Sequence, residues 1–384
     1  MSVVYPRGFQ ASAISAGLKA PGILDMALVS AARPVPAAGV FTSNRVFAAP
    51  VALSRDALSN GMLRAVVLNS GGANAATGER GLADSQAEAQ EVADSLPGAV
   101  SQQDVAVCST GVIGDFLPMD LVLPGIRKLA ESLGDDGESP ARAIMTTDTV
   151  PKLATTDCGE VRFGGMAKGA GMLAPALATM LCVITTDVVI EPVVAQRALS
   201  EAVRTTFNRA DGDGCMSTND TVLLLASGDS GVQLSETDFT ETLRGLCYDL
   251  AGQLLADAEG ASHLVNILVI GANSEDDAEQ VARQVARSNL VKCAIYGNDP
   301  NWGRILSEVG TVRDATFDAE HIDIAINGVL SCRNSVAYGE RSRIDMSQRD
   351  IDIVIDLHSG SASAEVRTTD LTVEYVHINA DYTS

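Results

Sequence analysis

Apolar positions along this chain fall into two rhythms. In the first half, short apolar runs end in small-residue turns. Arg64–Leu68 (RAVVL) leads into Asn69-Ser70-Gly71-Gly72, and Asp104–Cys108 (DVAVC) leads into Ser109-Thr110-Gly111. Such runs predict buried strands, and the small residues at their ends leave backbone N–H groups approachable because they add little bulk. The second half predicts two helices. One starts at Ser235 with Asp238 three residues on, places Phe239, Leu243, Leu246, Leu250 and Leu254 on one face, and stops before Gly260. The other starts at Ser274 with Asp277, carries Val281, Val285 and Ala286, and feeds a predicted strand over Val291–Ile295. The last quarter alternates at period two, through Ile322, Ile324 and Ile326 and again through Ile351, Ile353, Ile355 and Leu357. A Ser-Gly-Ser turn after His358 and a return strand near Glu365–Thr368 read as an antiparallel hairpin. Helices with mostly antiparallel strands predict an α+β fold, a layered αββα sandwich.

Composition narrows the class. The 384 residues suggest two or three structural units at roughly 150 residues each. Hydrophobic residues make up 46% and aromatics only 4%, so the core must come from Ala, Val, Leu and Ile. That balance excludes collagen-like, low-complexity and disordered chains. No repeat of roughly 20–50 residues and no Pro- or Ser-rich linker stands out. No apolar run approaches the roughly 20 residues that span a bilayer. The start, MSVVYPRGFQASAISAGLKA, lacks the apolar stretch of a secretory signal, so a cytoplasmic location is expected. A net charge of -22 repels phosphate backbones and anionic lipid, so neither nucleic acid nor membrane is expected as a partner. The seven cysteines (Cys108, Cys158, Cys182, Cys215, Cys247, Cys293 and Cys332) form no CxxC pair and suit a reducing compartment. His263, His321, His358 and His377 lack ligand-type spacing, so no metal is implied.

The segment Gly164–Asp187 (GGMAKGAGMLAPALATMLCVITTD) carries the most unusual chemistry, and it admits two readings. Gly169-Ala170-Gly171-Met172-Leu173-Ala174 matches the GxGxxG/A fingerprint of NAD-binding oxidoreductases, with Glu191 about 20 residues on. Against this, only Pro175–Thr179 separate the loop from the next strand-like run, too few for a crossover helix. The second reading is a self-processed threonine. Cleavage between Ala178 and Thr179 would free an α-amine on the same residue as the hydroxyl, and that amine would serve as its base. With a pKa of roughly 7.7–8.0, an α-amine keeps a useful neutral fraction at neutral pH. The pattern alone does not select Thr179 over Thr155-Thr156, Thr185-Thr186 or Thr205-Thr206, or over a plain buried strand.

Lys168–Leu181 (KGAGMLAPALATML) resembles the autoprocessing signature of the ornithine acetyltransferase family, the bifunctional glutamate N-acetyltransferases of arginine biosynthesis. The resemblance runs along the whole chain. It takes in GVFTSNRVFAAPV (Gly39–Val51), LNSGGANAATG (Leu68–Gly78), CSTGVIG (Cys108–Gly114), AIMTTDT (Ala143–Thr149) and STNDT (Ser217–Thr221). DAEG (Asp257–Gly260), DPNWGR (Asp299–Arg304), RTTDLT (Arg367–Thr372) and the final INADYTS complete the series. The resemblance implies a chain cut into an alpha part, 1–178, and a beta part, 179–384, commonly assembled as α2β2. It implies Thr179 as nucleophile and Thr110 and Gly111 as the oxyanion hole. Thr146, Lys168, Thr179, Glu259, Asn379 and Ser384 fall at its substrate-binding positions. Lys168 would then meet the substrate α-carboxylate and Glu259 the δ-ammonium of ornithine. The implied reaction moves acetyl from N2-acetylornithine to glutamate with no cofactor, and part of the family also uses acetyl-CoA. A self-cleaving amidohydrolase or aminopeptidase would use the same nucleophile with water as acceptor. Five places depart from the usual pattern: Ser262-His263 for Thr-Lys, Asn298 for Ser, Gly72 for Asn, Ala76 for Cys, and Cys215-Met216 before STNDT.

Overall fold

The computed structural model describes residues 2–173 and 180–381. Eight strands form the first sheet: β1 (Phe9–Ile14), β2 (Met26–Phe41), β3 (Met62–Asn69), β4 (Val105–Ser109), β5 (Lys152–Cys158), β6 (Val161–Lys168), β7 (Leu181–Thr186) and β8 (Thr221–Ala226). Their order is β4-β3-β2-β8-β7-β6-β5, with β1 paired to β2. The 16-residue β2 belongs to both halves of this sheet. Its first part pairs with β1 and β3, the register breaks between Ser30 and Val35, and Ala37–Phe41 pair with β8. Pro34 lies in the break and Pro36 just past it, where a residue without an N–H costs the ladder little.

The break folds the sheet over, and side-chain alternation then builds four layers. Alternate residues of β2, β3 and β4 (Val29, Val66, Leu68 and Ala106) meet Met166, Leu181, Val183 and Leu223 of the other half in one core. On the far side of the first half, Leu28, Val67 and Val107 pack on the helices Gly78–Ser95 and Met119–Glu131. On the far side of the second half, Phe163, Ile184 and Leu224 pack on Pro192–Arg204 and Glu236–Ala256. Strands buried on both faces read as continuous apolar runs, which is why RAVVL and LCVIT lack alternation. The expected αββα sandwich is thus present. The helix expected from Ser235 is present too, and the Ser235 hydroxyl accepts from the Asp238 N–H at 3.0 Å.

A second unit follows. β9 (Leu264–Ala272), β10 (Asp323–Ile326), β11 (Val329–Arg333), β12 (Val336–Ala337), β13 (Asp350–Asp356) and β14 (Ala362–Thr369) form a sheet in the order β12-β11-β10-β13-β9-β14. Its Val265, Ile267, Ile324, Ile353 and Ile355 face the helices Glu275–Ala286 and Trp302–Val309, giving this unit its own core. Two elements differ from the sequence-based expectation. The run Val291–Ile295 lies in a helix, Asn289–Tyr296, not a strand. Ser288 caps it by accepting from the Val291 N–H, and Val291, Ala294 and Ile295 are buried at helical spacing. β13 and β14 do not form a hairpin. β9 lies between them, parallel to β13 and antiparallel to β14.

Candidate active site

A cleft of about 260 Å³ opens where the ends of β4 and β6 meet the C-terminal end of the helix Glu236–Ala256. Thr110, Gly111, Thr146, Lys168, Glu259 and Asn379 line it together, although they are drawn from five separated stretches of chain. Ala178, Thr179 and Ser384 lie outside the described residues. Met180, the residue after Thr179, is anchored: its N–H donates to Asp220 Oδ1 at 3.0 Å and its carbonyl accepts from the Thr221 N–H at 3.0 Å.

Thr110 and Gly111 follow β4 in a tight turn. Thr110 pairs with Gly72, and Gly111 has φ +136. A Cβ on Gly111 would fall 2.9 Å from the Gly72 nitrogen and 3.0 Å from its Cα, so only glycine fits against that backbone. At the end of β6, Lys168 is 1% exposed. Its ammonium donates to Thr146 Oγ1 at 2.7 Å and to Thr110 Oγ1 at 3.3 Å. Two of its three N–H donors are thereby engaged, and the third has no partner among the described residues. Because Thr110 Oγ1 accepts from Lys168, its hydroxyl proton is free to donate into the cleft.

The electrostatics around Lys168 come from residues that sequence reasoning missed. Burial lowers the Lys168 pKa below the ordinary lysine value, and the neighbouring Lys152 charge lowers it further, while Asp148, Asp220 and Glu259 act to raise it. Lys152 is fully buried and forms ion pairs with both Asp148 and Asp257. Burial alone would raise the Asp148 carboxyl. The charges of Lys168 and Lys152, with hydrogen bonds from Lys152 and the Gly169 N–H, overcome it and hold Asp148 at about 2. Asp220 moves the other way, pushed well up by burial. All four stand in or beside motifs already quoted. The signal that could have found them is physical: a lysine on a buried strand end requires carboxylates nearby.

Glu259 follows the helix Glu236–Ala256, with its N–H donating to the Ala170 carbonyl at 2.9 Å. Its Oε2 accepts from Asn379 Nδ2 at 2.9 Å. Asn379 arrives on the helix Val373–Asp381, whose start presses on the DAEG turn. A Cβ on Gly260 (φ +65) would meet the Tyr375 nitrogen at 2.4 Å. A lysine ammonium, two threonine hydroxyls, the Gly111 backbone N–H and a carboxylate around one small cleft suit a ligand bearing both a carboxylate and an amine. The glycine segment from Gly169 is not the turn of a dinucleotide-binding unit, because β6 and β7 on either side of it are antiparallel neighbours.

The fold and cleft therefore define an α+β enzyme with an amino-acid-sized polar site. The chain belongs to the ArgJ family, whose pattern matches residues 10–384. It is 53% identical over 386 residues to the arginine biosynthesis bifunctional protein ArgJ of Streptomyces coelicolor, covering 100% of both chains. To the protein of that name from Mycobacterium tuberculosis it is 49% identical over 393 residues, covering 100% of this chain and 96% of the relative. Among solved structures, it is similar to an ornithine acetyltransferase from Mycobacterium tuberculosis complexed with ornithine, at 48% identity and a TM-score of 0.45. That match covers 47% of this chain and 96% of the solved chain.

Proposed function

We propose that this protein is a glutamate N-acetyltransferase of arginine biosynthesis, moving acetyl from N2-acetylornithine to glutamate through an acyl-enzyme on Thr179. The observation that carries the reading is the convergence of Thr110, Gly111, Thr146, Lys168, Glu259 and Asn379 on one cleft in a chain of this family. Lys168 holds the α-carboxylate with its remaining N–H donor, and Glu259, oriented by Asn379, holds the δ-ammonium. The acetyl carbonyl then lies between the two ends, toward Thr110 and Gly111.

Thr179 Oγ attacks that carbonyl and its proton passes to the residue's own α-amine, freed by cleavage after Ala178. The Thr110 hydroxyl and Gly111 N–H receive the developing oxyanion. The C–N bond breaks as the α-ammonium returns the proton to the leaving nitrogen, and ornithine departs. Glutamate enters the same site with its α-amine toward the acyl ester, and the reverse sequence releases N-acetylglutamate and restores Thr179. The alpha part, 1–178, and beta part, 179–384, work as one unit in the cytoplasm, assembled as α2β2, with Ser384 among the substrate-binding residues. The same acyl-enzyme can be charged from acetyl-CoA, the second activity.

The test uses N2-acetylornithine labelled in its acetyl group. With glutamate present, label must appear in N-acetylglutamate as ornithine is released. Without glutamate, one ornithine per site should appear in a burst. Label released as acetate at the same rate with or without glutamate would point to water as acceptor.

A further inference from the structure

Behind the Thr110–Gly111 turn, a carboxylic acid is buried inside the sandwich. Glu88 stands on the inner face of the helix Gly78–Ser95 with 0% exposure. Its Oε2 accepts from Asn69 Nδ2 at 3.4 Å, and its Oε1 has no hydrogen-bond partner among the described residues. The titratable groups facing it are Asp84, one turn earlier on the same helix, and Cys108 on β4.

Asn69, the last residue of β3, is the link to the cleft. Its Nδ2 also donates to Ser109 Oγ at 2.8 Å, and its Oδ1 accepts from the Gly71 N–H at 3.4 Å. Its backbone carbonyl accepts from the Thr110 N–H at 3.1 Å. One side chain thus ties together both segments of the turn: Ser109-Thr110-Gly111 on one side, and Gly71-Gly72, against which Gly111 rests, on the other. A buried acid with a free oxygen is costly to keep unless its other contact matters.

We propose that Glu88 is a positioning residue for the Thr110–Gly111 turn, acting through the Asn69 side chain. This rests on the reading of Thr110 and Gly111 as the oxyanion donors. The protonation state agrees with it. Burial pushes the Glu88 carboxyl up to about 8 against the Asn69 hydrogen bond, and Asp84 adds to the rise. At neutral pH, Glu88 is therefore held mainly as the uncharged acid. Its ionisation would bring a negative charge behind the place where an oxyanion develops, and that charge would oppose the transition state.

The test compares the processed wild-type enzyme with Glu88→Gln and Glu88→Leu, measuring kcat and KM for N2-acetylornithine between about pH 6 and 9.5. Wild-type kcat should decline above about pH 8. In Glu88→Gln, the amide oxygen still accepts from Asn69 and nothing can ionise, so kcat at pH 7 stays within about threefold and the alkaline decline disappears. Glu88→Leu, which cannot hold Asn69, should lose about tenfold in kcat with KM nearly unchanged. A Glu88→Gln profile that keeps the wild-type alkaline decline, or a Glu88→Leu enzyme with wild-type kcat, would overturn the proposal. Thr110→Ala serves as the control for the underlying reading. If it keeps wild-type kcat, the oxyanion assignment has failed. If it loses activity while the Glu88 variants behave as wild type, only the role of Glu88 has failed.

Discussion

Exchanging Glu259 for Gln isolates one charge. Gln has the same shape, its carbonyl oxygen can still accept from Asn379 Nδ2, and the backbone bond from residue 259 to the Ala170 carbonyl is untouched. What disappears is the negative charge offered to the δ-ammonium of acetylornithine. A hydrogen bond to a charged partner contributes about 1.5–3 kcal/mol, against about 0.5–1.5 for a neutral one. The half-buried Glu259 also loses some of its pull to solvent. The net loss is then about 1–2 kcal/mol, a rise of about 5- to 30-fold in KM for N2-acetylornithine. The contact is equally present before and during acyl transfer, so kcat should stay within about twofold. The assay is steady-state kinetics with N2-acetylornithine beside an analogue lacking the δ-amine, acetylnorvaline. Wild type should prefer the amine-bearing substrate, and Glu259→Gln should lose most of that preference. An unchanged KM, or an equal loss on both substrates, would refute the pairing.

Other consequences follow from the same geometry. Gly111→Ala sets a Cβ against the Gly72 backbone and turns the Gly111 N–H away from the oxyanion, so kcat should fall about 10²- to 10³-fold with the protein still folded by circular dichroism. Asp148→Asn removes one of the two carboxylates that hold buried Lys152 and should cost about 2–4 kcal/mol in denaturant unfolding at pH 7. The Asp148 carboxyl is depressed to about 2 in the folded protein, so its stabilisation is complete above the ordinary Asp value and fades as pH falls toward about 2. The gap between wild type and Asp148→Asn should therefore close in acid, and a gap independent of pH would contradict the ion pair. Glu88 has the opposite sign: its carboxyl is raised in the folded protein, so wild-type stability drops between about pH 4.5 and 8. The melting temperature of Glu88→Gln relative to wild type should rise across that window.

Much of the fold was legible where local signals were strong. Ser235, Asp238 and the Leu243–Leu254 spacing predicted a helix whose cap and buried face are both present. Val291–Ile295 misled because five apolar residues are too short to show a period, and the Ser288 cap that decides for helix is a single hydroxyl. The place of β9 between β13 and β14 could not be read, since pairing order depends on which strand buries its faces best across some 100 residues of chain. At the cleft, resemblance supplied Thr110, Lys168 and Glu259, while composition and spacing alone left them among many turn and surface residues. The Asp148–Lys152–Asp257 network escaped notice because its members are ordinary in sequence and exceptional only in burial. RTTDLT joins the two units: the Arg367 carbonyl accepts from the Asp211 N–H at 2.8 Å, and Thr369 Oγ1 donates to the Gly212 carbonyl at 3.3 Å.

The central claim is that Thr179 becomes an N-terminal nucleophile, and intact mass with N-terminal sequencing tests it most directly, on wild type beside Thr179→Ala. Wild type should yield two fragments of about 18 and 21 kDa from the 39.9 kDa chain, the larger beginning Thr-Met-Leu-Cys, and the variant should stay uncut and inactive. A single uncut wild-type chain that transfers acetyl normally would contradict it.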